Sequence, residues 1–106
     1  MKLMKKIVVY VPLTHTDIVR NAIGEASGGV LGNYSFCSFS TRGVGRFKPE
    51  EGANPHIGAV GKLEEVEEER IEVSVSDDRV KDVVEAIKEI HPYEEVAMDV
   101  YTLEIW

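Results

Sequence analysis

The stretch ERIEVSVSDDRVKDVVEAIKEIHPYEEVAMDVYTL, residues 69–103, decides the fold. Its first seven residues alternate, with Ile71, Val73 and Val75 on one side and Arg70, Glu72 and Ser74 on the other, the pattern of a half-buried strand. SDD then caps a helix, and Val80, Val83, Val84, Ile87 and Ile90 recur at helical spacing to form one apolar stripe. Pro92 forbids the helix from continuing, and EVAMDVYTL (95–103) reads as a closing strand. A strand, an amphipathic helix and a strand therefore follow one another with short connections.

The N-terminal half repeats the pattern. KKIVVYV (5–11) is a β-branched and aromatic run fit for a buried central strand, and Pro12 ends it. Thr14 and Asp17 make a capping box ahead of Ile18, Val19, Ala22, Ile23 and Ala26 at helical spacing, and Gly28-Gly29 stops that helix. NYSFCSFS (33–40) reads as a strand, TRG as a turn and VGRF (44–47) as the returning strand of a hairpin. KPEEGANPHIGAVGK (48–62), with two prolines and three glycines, reads as a long loop of the functional kind. The order is β-α-β-β-α-β, an α+β, ferredoxin-like split β-α-β sandwich with both helices on one face of the sheet. Apolar side chains on the other face (Tyr34 and Phe36, or Phe39) need covering, which predicts oligomerisation.

Bulk properties agree. The 106 residues suit one domain spanning 1–106, and 43% apolar with 29% charged residues is a globular composition. A net charge of −7 argues against a nucleic-acid partner, which demands cations to displace phosphate counterions. Much of it lies in EEVEEE (64–69), read as a solvated face. The lone Cys37 excludes an internal disulfide and suggests a reducing compartment, the cytoplasm. No apolar run reaches the length of a membrane span, and the five apolar residues behind Lys2, Lys5 and Lys6 are too few for a signal-peptide core.

HPYE after the second helix resembles the same motif in the CutA divalent-cation-tolerance proteins, which are ferredoxin-like trimers related in fold to the PII signalling proteins. GNYSFCSFSTRGVGRFKPEEGANPHIG (32–58), GKLEEVEEERIE (61–72) and HPYEEVAMDVY (91–101) together resemble the domain inserted into YqfO-type members of the NGG-interacting-factor-3-like family. That likeness spans nearly the whole chain, which looks like the insert standing alone. It implies a CutA/PII-like fold and a homotrimer. The dinuclear metal site of the family belongs to its larger flanking domain, so none of its ligands carries over.

His91 and Glu94 offer an imidazole and a carboxylate, a pairing suited to Zn²⁺ or Cu²⁺. The same residues also serve as a helix stop, with His91 against the last helical carbonyls and the Tyr93 hydroxyl seeking a partner such as Glu94 or Glu95. A fuller divalent-metal site requires His15, His56 or Cys37, none at a recognised zinc spacing, brought together by folding or between subunits. Cys37 has no activating base nearby in sequence, which disfavours nucleophilic catalysis. Gly58, Gly61 and Lys62 form an incomplete phosphate-cradle pattern, with Leu63 where a hydroxyl residue would stand. The PII likeness implies small-anion or nucleotide binding between subunits, to which Arg42, Arg46 and Lys48 would add positive charge.

The expected function is a non-enzymatic binding or regulatory module. Its ligand, foremost a divalent cation held by His91, Glu94, His56 and Cys37, would sit in an intersubunit cleft lined by the 33–40 strand, the 52–62 loop and the 91–95 turn. A small-anion or nucleotide sensor and a protein-interaction module are the alternatives. Enzyme activity ranks last, because no nucleophile, base and orienter set is visible.

Overall fold

The computed structural model describes residues 2–106. Four strands, β1 (Lys2–Pro12), β2 (Phe39–Phe47), β3 (Glu64–Val75) and β4 (Met98–Ile105), and two helices, α1 (Thr16–Glu25) and α2 (Val80–Ile90), follow in the order β1-α1-β2-β3-α2-β4. The sheet order is β2-β3-β1-β4, and every neighbouring pair is antiparallel. This is the expected α+β ferredoxin-like arrangement.

The alternation of β1 explains why it is central. Ile7, Val9 and Val11 join Ile71, Val73 and Val75 of β3, Val19 and Ile23 of α1 and Val83 and Ile87 of α2 in one buried cluster. Each fully buried aliphatic side chain there contributes roughly 1.5–3 kcal/mol relative to exposure. The opposite face has no helix over it. By register it carries Met4, Lys6, Val8 and Tyr10 of β1, Phe39 of β2, Glu68, Arg70 and Glu72 of β3, and Tyr101 and Leu103 of β4.

Several element boundaries differ from the sequence reading. The expected hairpin of 33–40 and 44–47 does not form: residues 39–47 run through Thr41-Arg42-Gly43 as one edge strand paired to β3. Residues 33–38 leave the sheet because other contacts hold them. The Cys37 N–H donates to the Gly29 carbonyl at 2.8 Å, and the Phe36 ring lies where a side chain on Gly24 would have to be. The acidic run 64–69 belongs to β3, and Glu68 and Glu69 are buried rather than solvated. Arg20 of α1 bonds Glu69 across the helix-covered face.

Thr14 does not cap α1, which starts at Thr16 after a 3-10 turn (Leu13–His15), and no side-chain cap is made at the start of either helix. At the far end of α1 the Gly28 N–H bonds the Ile23 carbonyl and the Ser27 N–H bonds the Gly24 carbonyl. This is a Schellman stop, but Ser27 takes the left-handed position, with φ 73°. No helix among the described residues is long and apolar enough to cross a membrane.

Candidate functional site

Antiparallel pairing brings the ends of β1 and β2 and the starts of β3 and β4 to one end of the sheet. There the loop after β2 and the turn after α2 enclose a cleft of ≈ 480 Å³. Its floor is Tyr10, Gly45, Phe47 and Glu68 from the helix-free face; its walls include Pro49, Pro55, His56 and Ile57 on one side and Tyr93, Glu94 and Ala97 on the other. The Asn54 N–H donates to Glu94 Oε1 at 2.8 Å, clipping the loop to the turn.

His91 anchors the turn. Pro92 ends α2, and the His91 N–H still bonds the Ile87 carbonyl at 2.9 Å. The Tyr93 N–H donates to His91 Nδ1 at 3.1 Å, which makes Nδ1 the acceptor; Nε2–H then donates to the Tyr10 carbonyl at 2.8 Å. A side chain tied to β1 and to its own turn in this way is a neutral imidazole with no nitrogen left over. Burial pushes its pKa below the usual histidine value, opposed by the Tyr10 carbonyl and by Glu68.

Tyr93 continues the chain of contacts. Its hydroxyl donates to Glu68 Oε2 at 2.9 Å, and burial together with that carboxylate holds the phenol well above its ordinary range. Gly45 makes the pair possible, because a β-carbon there would stand 1.9 Å from Glu68 Oε1. Around the Tyr93 ring gather His91 at 4.9 Å, Phe47 at 6.1 Å and His56 at 6.3 Å between centroids, and His15 faces His56 at 5.8 Å.

The expected site residues therefore divide. His56 and Glu94 line the cleft together, and Arg46 and Lys48 stand at it. His91 lies beside it with both nitrogens engaged, so it is a structural tie in this chain rather than an available ligand. Cys37 sits at the other end of the sheet, where Gly29 N–H bonds the Ser74 carbonyl of β3, and the 33–40 segment does not line the cleft. Gly58, Gly61, Lys62 and Arg42 are outside it too: the Gly61 N–H closes the loop onto the Pro49 carbonyl at 2.8 Å instead of facing a ligand. Among the described residues, no three His, Cys, Asp or Glu side chains are gathered as a metal cage.

Sequence reasoning missed Glu68, Gly45, Tyr10 and Phe47. The one available signal was the absence of any turn residue from Leu63 to Val73, which allows β3 to begin early enough to carry Glu68 to the cleft.

Comparison with known proteins places this geometry. A GTP cyclohydrolase 1 type 2 homolog of Halalkalibacterium halodurans is 55% identical over 98 residues, covering 92% of this chain and 26% of that protein. The Bacillus subtilis homolog is 48% identical over 101 residues, covering 95% and 27%. The solved structure of a Bacillus cereus protein related to NIF3 superposes with a TM-score of 0.86 at 48% identity, over 98% of this chain and 26% of that one. The chain corresponds to the CutA/PII-like domain of the NIF3-type proteins. It spans only about a quarter of the length of these relatives (26% and 27%). The CutA side of the likeness is one of fold: the divalent cation tolerance protein CutA of Archaeoglobus fulgidus aligns with a TM-score of 0.72 at 16% identity, over 97% of this chain and 86% of that one. No family model matches the chain.

Proposed function

We propose that this NIF3-type CutA/PII-like domain is a non-enzymatic binding and regulatory module, a cytoplasmic homotrimer that takes a divalent cation in the cleft between the 48–57 loop and the 91–97 turn. The supporting observation is the charge of that cleft. Glu50, Glu68, Glu94 and Glu95 line it, against Arg46 and Lys48. Both basic groups already face carboxylates, Arg46 at 3.2 Å from Glu65 and Lys48 at 3.8 Å from Glu50. A cleft with surplus carboxylate attracts cations and repels nucleotides and other anions. His56 and Glu94 supply the nitrogen and oxygen donors that a borderline divalent ion prefers. The trimer rests on the helix-free face, where Phe39 and Tyr101 stand exposed, and on the family likeness.

Native mass spectrometry of untagged protein, with metal content determined on the same sample and with Zn²⁺ supplied, tests both parts. The expected result is a trimer that gains metal, with weaker uptake in Glu94→Gln. A monomer removes the assembly; a trimer that takes up no metal removes the cation.

A further inference from the structure

His15 and His56 are far apart in sequence, and neither belongs to the HPYEE motif. Folding sets their rings at 5.8 Å between centroids and 89° between planes. A metal about 2.0–2.1 Å from an imidazole nitrogen lies roughly 3.2 Å from that ring's centre, so two imidazoles on one ion have centres roughly 5.2 Å apart at the tetrahedral angle of Zn²⁺ and roughly 6.4 Å apart when they stand opposite each other. The observed 5.8 Å lies between these two values, about 0.6 Å from the tetrahedral one, a gap that rotation of one ring closes. His56 is exposed, makes no hydrogen bond from its ring among the described residues, and can rotate to present a nitrogen.

His15 is already oriented. Thr14 Oγ1 lies 2.7 Å from His15 Nδ1, which leaves Nε2 as the nitrogen without a hydrogen-bond partner among the described residues. Metal-bound imidazoles are held in this way, with the second nitrogen fixed by a hydrogen-bonding neighbour. His56 also lines the cleft, whose surplus of carboxylates favours an incoming cation, and His15 reaches that cleft through its neighbour His56.

We infer that His15 and His56 form a two-imidazole site for a divalent transition ion of the Zn²⁺, Ni²⁺ or Cu²⁺ class, with oxygen donors, the Glu94 carboxylate and water, in the remaining positions. This rests on the cation reading of the cleft and deepens it, replacing His91 by His15 as the second nitrogen donor. Imidazole selects these ions over Mg²⁺ and Ca²⁺, which prefer oxygen shells. Because protons compete for the same nitrogens, binding weakens as pH falls.

The test titrates the untagged protein with Zn²⁺ by calorimetry and records the electron paramagnetic resonance of the Cu²⁺-loaded form. Wild type is compared with His15→Ala, His15→Gln, His56→Ala, Thr14→Val, Glu94→Gln and Cys37→Ser, each checked for native circular dichroism. Wild type shows two nitrogen donors on Cu²⁺, and each histidine variant shows one. Zn²⁺ affinity falls at least about tenfold in the histidine variants and about tenfold in Thr14→Val, while Cys37→Ser binds as wild type. Should His15→Ala perturb folding, His15→Gln carries the same readout. If Glu94→Gln abolishes binding while the His15 variants retain two-nitrogen spectra and full affinity, the imidazole pair is overturned and the cation reading stands. If wild type binds no Zn²⁺ or Cu²⁺, both fall.

Discussion

His91 joins three elements through one ring: its backbone closes α2, Nε2–H holds the end of β1 and Nδ1 receives the turn that leads to β4. Protonation would convert Nδ1 from acceptor to donor and break the bond to Tyr93. The groups facing it are Glu68 from β3, His15 and His56, and the net result is a pKa lowered from the ordinary 6.5, chiefly by burial. A base harder to protonate when folded stabilises the fold fully above 6.5, and that contribution is lost as pH falls from 6.5 to the folded-state pKa. Urea unfolding between about pH 5 and 7.5 is expected to show this slope. His91→Gln retains an N–H for the Tyr10 carbonyl but loses the acceptor for Tyr93. It costs about 1–3 kcal/mol at the upper pH and flattens the slope; an unchanged slope would place the titration elsewhere. Gly45→Ala acts one contact further on: its methyl displaces the Glu68 carboxylate from the Tyr93 hydroxyl, for a loss of about 1 kcal/mol or more. In a Tyr93→Phe background most of that loss disappears, as a double-mutant cycle of thermal melts would show.

Element boundaries show where sequence patterns were sufficient. β1, α2 and the stop at Pro92 were legible because burial and periodicity agree there, with β1 apolar on both faces and α2 on one stripe. β2 was misread because Tyr34, Phe36 and Ser38 alternate as a strand does, while TRG has turn composition. Phe36 instead sits at φ 59° with its ring against Gly24, and Gly43 is an ordinary edge position opposite Glu68. That choice is made by a distant helix surface, which no local window contains. Gly24→Ala isolates it. In an open helix the change is stabilising by roughly 0.5–1 kcal/mol, but here its β-carbon would stand 2.0 Å from the Phe36 ring. The variant is expected to lower the melting temperature in the wild-type background and to raise it with Phe36→Ala. Three residues on, Ser27→Gly relieves the left-handed position at the end of α1 and stabilises by up to about 1 kcal/mol. The same melts check it, and no rise would mean that Ser27 gains from its contact with Arg79, whose Nη2 lies 3.5 Å from its hydroxyl.

At the scale of the molecule, the candidate site was only half legible. His56 and Glu94 could be named because their residue types carry chemistry, whereas Glu68 was lost in an acidic run and the meeting of His15 with His56 depends on chain topology. The proposed trimer concerns the helix-free face, where Phe39 and Tyr101 stand exposed. Its edge strand β2 presents Phe39, 67% exposed, opposite Glu72, which already faces Lys6 at 3.5 Å and Arg70 at 3.9 Å. Phe39→Glu replaces an exposed ring by a second carboxylate directly across from Glu72. Removing an exposed side chain leaves the helix-side core intact, so circular dichroism should not change. In an assembly sealed through this face, the substitution instead buries like charges against one another and forfeits apolar contact. Sedimentation velocity is expected to find wild type as a trimer and Phe39→Glu as a monomer. The wild-type melting temperature should rise with protein concentration, and that of the variant should not. Leu63→Glu, at an apolar residue still more exposed than Phe39 but in the loop before β3, is the control and should remain trimeric. A Phe39→Glu protein that still sediments as the wild-type trimer would move the interface off this face, most directly to the open strand edges, where unpaired backbone groups of β2 and β4 can pair between copies.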